Sequence, residues 1–192
     1  TICYPFYTYS QGYYGQTNGV ACIQGVGSFK TKEFITRAFG TGTGMKLGYG
    51  NKVFDVPNSS LAIDKLIQIM PGGGSPNFLT SGALLPSNIP ASLLKNGKIN
   101  NVLLGQTVAM WLNINIPGNT LASLDLIGAD NKNNIVSVDP LDASNCMKPT
   151  IGTTELRTKF PQTIVNALKA RKARLAGTGT TVKDLVDLAS EA

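Results

Sequence analysis

The apolar residues of the chain recur mainly at helical spacing, and this pattern predicts several amphipathic helices. Residues 30–39 and 58–70 each carry an apolar face and end before a Gly or a Pro. Ser28 can cap the first helix, and Asn58, Ser59 and Ser60 can cap the second. The tail predicts two more helices, one that opens at Pro161 and one that is capped by Thr180 or Thr181. The pattern therefore indicates a largely helical protein.

Shorter runs alternate between apolar and polar residues and predict two β-hairpins. Residues 45–47 and 52–56 flank a Gly-rich turn, and residues 121–127 and 135–138 flank a polar turn. Together with the helices, the hairpins predict an α+β fold that is predominantly helical.

Residues 98–116 form the strongest predicted helix. Its apolar side chains lie on nearly every face, and few polar residues interrupt them. A helix that is hydrophobic on most faces is typical of the interior of a domain. We therefore expect residues 98–116 to be the central buried helix.

The first 27 residues lack this periodicity. They are rich in Tyr and Gly and carry almost no charge, so we expect an irregular loop or short strands that lie on a helical body of residues 28–192. A length of 192 residues fits a single domain. Because the chain begins at Thr1 without a Met or a leader, we expect a fragment of a longer protein.

Composition excludes several kinds of chemistry. The chain has no His, which excludes Ser-His-Asp and Cys-His catalysis and zinc sites with a His ligand. Four of the 17 cations lie within residues 169–174, on a predicted helix that also has an apolar face. We expect them to form its solvated side, so no nucleic-acid partner is predicted. No apolar run is long enough to predict a transmembrane segment.

No motif predicts a catalytic, cofactor-binding or metal-binding residue. The Gly-rich stretches 40–48 and 71–76 follow predicted helices, whereas a phosphate-binding loop precedes its helix. No two of the eleven acidic residues stand at a spacing that identifies a catalytic pair. Residues 130–134 resemble a calcium loop only faintly, because Lys132 occupies a ligand position.

The tyrosines of the first segment are the candidate ligand contacts. Tyr side chains can stack on sugars and anchor interfaces, which makes Tyr7, Tyr9, Tyr13 and Tyr14 a candidate surface. The alternative is that they pack the segment onto the body.

The three cysteines predict one disulfide and one further thiol if the compartment is oxidising. Every pairing of Cys3, Cys22 and Cys146 is allowed by the sequence, and Cys3–Cys22 is slightly favoured because its loop is short. The alternative is three free thiols in a cytosolic protein.

Four stretches together resemble a module of secreted and cell-surface proteins from Bacteroidota. They are YSQGYYG at residues 9–15 with NGVAC at 18–22, MPGGGSP at 70–76, GKINNVLLGQT at 97–107 leading to Leu112 and Asn113, and TVKDLVDLA at 181–189. We call these the signature stretches. Related modules open with TQGYW, so Ser10 and Tyr14 depart from that pattern.

The resemblance implies export, often by the type IX route, and a location at the cell surface or outside the cell. It implies no catalytic residue and no cofactor. We therefore expect a non-enzymatic structural or adhesive module, whose partners are other parts of its parent protein or cell-surface components, a glycan among them. The alternatives are a carbohydrate-binding module that uses the N-terminal tyrosines, and an enzyme acting on polysaccharide or peptide through an unidentified acidic pair.

Overall fold

The computed structural model of the chain describes residues 8–23, 25–79, 82–126, 134–137, 156–159 and 161–191. It contains helices and small antiparallel sheets, as an α+β fold requires. The helices are α1 (Gln11–Tyr14), α2 (Thr31–Phe39), α3 (Ser60–Ile69), α4 (Val102–Ile114), α5 (Gln162–Arg174) and α6 (Val182–Ser190). The strands are β1 (Val20–Ile23), β2 (Gly27–Lys30), β3 (Gly44–Tyr49), β4 (Lys52–Pro57), β5 (Leu94–Lys95), β6 (Lys98–Ile99), β7 (Asn134–Ser137) and β8 (Leu156–Lys159).

Each described strand pairs with its neighbour in the sequence, and every pair is antiparallel. The predicted hairpin at residues 45–56 is confirmed as β3 and β4, with Tyr49 opposite Lys52 at its tip. The helices predicted in the tail are confirmed as α5 and α6. Thr181 caps α6, and Asp184 completes a capping box by accepting from the Thr181 backbone N–H.

The first 27 residues are more regular than predicted. Ser10 caps the short helix α1, because its side chain accepts from the Tyr13 backbone N–H. Strand β1 pairs with β2 and buries its last three residues. The prediction that this segment holds no helix is therefore wrong for residues 11–14, whereas β1 at residues 20–23 matches the short strands that the sequence allowed.

Helix α4 is shorter than the predicted helix 98–116. Asn101 caps it, while residues 98–99 form strand β6 after a turn in which Gly97 has a φ of 73°. The apolar pattern continued across this boundary because Ile99 is buried in the same hydrophobic cluster as α4. Leu103 and Met110 on α4 are half-buried, whereas Leu112 is fully buried.

The second predicted hairpin is wrong. Residues 121–123 form a 3₁₀ turn, and β7 pairs with β8 instead. Two backbone hydrogen bonds hold residues 124–126 to the start of α6: from Leu126 N–H to the Thr180 carbonyl (2.9 Å) and from Val182 N–H to the Leu124 carbonyl (2.9 Å). The alternating apolar residues thus reflect packing on the tail helices rather than a local hairpin.

Two hydrophobic clusters form the core of the described chain. The larger one gathers apolar side chains from α1 to α4 and from β1, β3 and β4. The smaller one contains Leu121, Leu126, Leu168 and Val182. Helix α4 contributes to both, because Leu112 belongs to the larger cluster and Met110 packs against the smaller one.

Candidate functional site

Three of the signature stretches meet at one point of the structure. Gly72 and Gly105 lie back to back: a Cβ on Gly105 would come within 2.8 Å of the Gly72 Cα and 2.5 Å of the Gln11 Oε1. The same Gln11 oxygen accepts a hydrogen bond from the Gly72 N–H at 3.1 Å. Glycine is therefore required at both positions because two backbones and a side chain approach too closely for any Cβ.

The GKINN stretch fastens the loop that follows α3. Lys98 Nζ donates to the Gln68 and Met70 carbonyls at 2.9 and 2.5 Å. The Gly73 N–H donates to the Ile99 carbonyl at 2.8 Å. The two Lys98 bonds satisfy carbonyl groups at the end of α3, which has no further helical turn to pair with them.

Asn101 holds a second loop while it caps α4. Its Oδ1 accepts from the Leu104 and Asn77 backbone N–H groups, both at 3.2 Å, and its Nδ2 donates to the Asn77 carbonyl at 2.8 Å. Asn101 is buried, so these bonds remove the cost of an unsatisfied amide in the interior.

Asn113, near the other end of α4, holds the N-terminal segment in place. Its Oδ1 accepts from the Tyr9 backbone N–H and from the Tyr14 hydroxyl, both at 2.8 Å. Its Nδ2 donates to the Tyr9 carbonyl at 2.9 Å. We call the contacts of Gln11, Gly72, Lys98, Asn101, Gly105 and Asn113 the signature junction.

The N-terminal tyrosines belong to this packed region. Tyr9 and Tyr13 pack edge-on against Phe34 at ring distances of 5.2 and 5.6 Å. Tyr14 is fully buried and offers no surface to a ligand, so the packing alternative describes it. Tyr9 and Tyr13 are half-buried, and ligand contact at these two stays a prediction. Tyr7 lies outside the described residues.

Partial burial of Tyr9 and Tyr13 makes their hydroxyl groups harder to ionise. Burial raises the pKa of both, and for Tyr9 a hydrogen bond to Cys22 opposes this rise in part. Tyr9 Oη donates to the Cys22 carbonyl and lies 2.9 Å from the Cys22 backbone nitrogen as well. The polar end of Tyr9 is therefore committed to strand β1.

Cys22 is fully buried and is disulfide-bonded. Cys3 and Cys146 both lie outside the described residues, so the choice between Cys3–Cys22 and Cys22–Cys146 stays a prediction.

The last signature stretch supplies an ion-pair network in the tail. Arg171 is buried, and its guanidinium lies 2.7 Å from Glu191, 3.6 Å from Asp184 and 4.0 Å from Asp187. The prediction that all four cations of residues 169–174 form a solvated side is therefore wrong for Arg171. Its charge is neutralised inside the protein, which is the usual condition for a buried arginine.

The pKa of Asp184 is lowered. Burial opposes ionisation, but hydrogen bonds from Thr181 and from the Gly179 and Thr181 backbone N–H groups, together with the Arg171 charge, outweigh it. A general acid needs the opposite shift. The Asp184 carboxylate therefore stabilises the start of α6 and gives no support to acid catalysis.

The second candidate site is an open cleft of about 580 Å³ beside the tip of the β3–β4 hairpin. Tyr49 and Phe78 line it and expose 77% and 65% of their surface. Its remaining walls come from both strands, the loop after α3 and the end of α6: Gly48, Gly50, Asn51, Lys52, Leu79, Ser190 and Glu191. A volume of this size lies within the roughly 300–1,000 Å³ typical of ligand sites. We call this cavity the hairpin cleft.

The sequence did not predict the hairpin cleft. Tyr49 stands between two glycines and Phe78 follows a Pro-Asn pair, so each is a large aromatic residue without an apolar period around it. An aromatic residue in a polar turn has no predicted core position and is a signal of an exposed contact. Of the tyrosines that were predicted, Tyr14 is fully buried, Tyr9 and Tyr13 are half-buried, and Tyr7 lies outside the described residues.

Among the residues that the structure describes, no three His, Cys, Asp or Glu side chains are arranged to hold a metal ion. Within the same residues, no helix combines the length and the apolar character needed to cross a bilayer.

Comparison with known proteins gives no relative: no family model matches the chain, and neither a curated protein nor a solved structure matches it.

Proposed function

We propose that the chain is a non-enzymatic structural or adhesive module of an exported bacterial surface protein. In this proposal it folds as one domain of a longer chain, and its partners are other parts of that parent protein or components of the cell surface.

The signature junction is the observation that carries the proposal. Gln11, Lys98, Asn101 and Asn113 all direct their polar atoms to backbone or side-chain partners inside the protein. In an enzyme, polar residues of this kind converge on a cleft that can hold substrate. Here they fasten loops to one another, to the end of α3 and to helix α4, which is what a module selected for a durable fold needs.

Location outside the cell rests on the resemblance of the signature stretches and on the cysteines. The Cys3–Cys22 bridge favoured by the sequence belongs to the same proposal, because a disulfide is stable in an oxidising compartment. Peptide mapping without reductant tests the pairing. A peptide linking residues 3 and 22 supports it, and a peptide linking residues 22 and 146 replaces it with the alternative.

Carbohydrate binding is the second candidate function, because the hairpin cleft presents two exposed aromatic rings beside polar side chains. An adhesive module needs a recognition surface, so this candidate extends the first proposal rather than competing with it. An enzyme with an acidic pair remains the competing alternative.

A substrate panel separates the module from the enzyme. The purified chain is incubated with polysaccharide, ester and peptide substrates, and product release is followed beside a heat-denatured sample. We expect no turnover. Turnover that a single Asp or Glu substitution abolishes would refute the non-enzymatic proposal and identify the acid at once.

A further inference from the structure

The hairpin cleft gathers the exposed aromatic surface of the described chain. Among the described residues, six large hydrophobic side chains are exposed, and the two aromatic ones, Tyr49 and Phe78, both line this cleft. An exposed aromatic ring gains free energy when a ligand covers it and displaces water. Two such rings in one concave surface therefore form a surface suited to a ligand.

Both rings stand on backbone that is tied to the rest of the protein. Tyr49 pairs with Lys52 in the β3–β4 register, and the neighbouring Gly48 N–H donates to Ser190 Oγ at 2.7 Å. The Phe78 N–H donates to Asn77 Oδ1 at 2.9 Å, and Asn77 is itself held by Asn101. A ligand would therefore meet a preformed site, which lowers the entropy lost on binding.

Polar side chains that can bind hydroxyl groups line the cleft together with the two rings. Asn51 and Lys52 at the exposed hairpin tip supply an amide and an ammonium. The Glu191 carboxylate is already held by Arg171 and Arg174, at 2.7 and 3.1 Å. The available polar groups are thus mainly donors beside flat apolar surfaces.

We propose that the hairpin cleft binds a glycan, with sugar rings stacked on Tyr49 and Phe78 and sugar oxygens bound by Asn51 and Lys52. A pyranose ring has an apolar C–H face and a polar edge, and the lining of this cleft includes both apolar rings and polar side chains. The inference rests on the proposed adhesive role and names the ligand of that role.

A protein partner fits the cleft less well. A stable protein interface buries about 800 Å² on each partner around an apolar centre. The other exposed hydrophobic side chains, Val20, Val26, Leu61 and Leu175, do not line this cleft. The apolar surface is therefore local, as a small ring-shaped ligand requires.

Retention in native gels that contain a polysaccharide tests the proposal. The probes are xylan, mannan, laminarin, hyaluronan, pectin and mucin, with chemically deglycosylated mucin as the protein control. We expect retention by at least one glycan, and Tyr49→Ala and Phe78→Ala should each weaken binding about tenfold, as the loss of one stacked ring predicts. Tyr49→Phe should keep most of the binding because it keeps the ring.

Leu61→Ala is the matched control, since Leu61 is 68% exposed but lies outside the cleft. The glycan inference is overturned by unchanged binding in the Tyr49→Ala/Phe78→Ala double variant, by equal binding to deglycosylated mucin, or by no retention with any probe. Reducing ends released from a probe polysaccharide would instead overturn the non-enzymatic function. The two failures are therefore distinguishable in one experiment.

Discussion

The signature junction and the hairpin cleft use similar residues in opposite ways. In the junction, glycines allow two backbones to touch and buried amides bind loops to α4. In the cleft, glycines flank an exposed ring, and the amide of Asn51 stands at an exposed hairpin tip. The comparison teaches that the residues which make a sequence recognisable can be those that maintain its fold, while a binding surface lies in less distinctive turns.

The difference also separates two energetic regimes. A group removed from the junction leaves its partners buried without hydrogen bonds, which costs roughly 1–3 kcal/mol for each. Removing a ring from the cleft loses little buried surface, because water already reaches most of that ring in the wild type. Substitutions in the junction should therefore change stability, and substitutions in the cleft should change binding.

Gly105→Ala should have the largest effect on stability, a loss of about 3 kcal/mol from overpacking. Alanine ordinarily stabilises the interior of a helix relative to glycine, so a loss here can come only from the contacts with Gly72 and Gln11. Gly73→Ala is the control, since a Cβ there meets nothing within 4 Å. Urea denaturation that finds the two variants equally stable would contradict the close approach.

Asn113→Ala should cost about 2–3 kcal/mol, because it removes the buried amide that bonds the Tyr14 hydroxyl and the Tyr9 backbone. Asn115→Ala is the matched control two residues along the chain. Asn115 is exposed, and its side chain makes one hydrogen bond, to the Trp111 carbonyl. The same denaturation measurement should place the control within about 0.5 kcal/mol of the wild type.

Asp184→Asn should cost about 1–2 kcal/mol, since its charged hydrogen bonds to Thr181 and Gly179 are weakened. The lowered pKa also gives a pH dependence. The carboxylate stabilises the fold above its ordinary pKa of about 4, and this contribution is lost as the pH falls through the lowered value.

Stability measured from pH 6 to pH 2 should therefore fall less steeply for Asp184→Asn than for the wild type. Asp64→Asn is the control, because Asp64 forms an exposed ion pair with Lys32. Parallel curves for Asp184→Asn and the wild type would mean that Asp184 does not carry the acid sensitivity of the tail.

Tyr49→Ala and Phe78→Ala should change stability least, by less than about 0.5 kcal/mol each. Both rings are mostly exposed, so little apolar burial is lost. A loss above about 2 kcal/mol in either variant would make that ring part of the core, and the cleft would no longer be a separate binding surface.

Helices were the most predictable part of the fold, since their apolar period and their caps are local properties of the sequence. Ser59 and Thr181 cap helices where the sequence placed them. The hairpin at residues 121–138 was mispredicted because Leu121 and Leu126 are apolar for another reason. Both pack against the tail helices, which are distant in sequence. Arg171 was wrongly predicted to be solvated for a similar reason. The three carboxylates that pair with it lie 13 to 20 residues further along the chain.

The candidate sites were less predictable than the fold. The N-terminal tyrosines stand out by composition, but their burial depends on Asn113, about 100 residues away. The hairpin cleft combines three separate parts of the chain, and no local pattern joins Tyr49, Phe78 and Glu191. Long-range assembly of this kind leaves no periodic signal in a single sequence.

Native-state hydrogen exchange tests most directly the claim that the signature residues maintain the fold. Four amides are informative because they lie outside helices and strands yet donate within the junction: Tyr9, Gly72, Gly73 and Asn77. We predict that these amides open only with a free energy close to that of global unfolding, while Gly50 and Asn51 at the tip of the cleft exchange rapidly. Exchange of the four junction amides as fast as that of the hairpin tip would contradict the account.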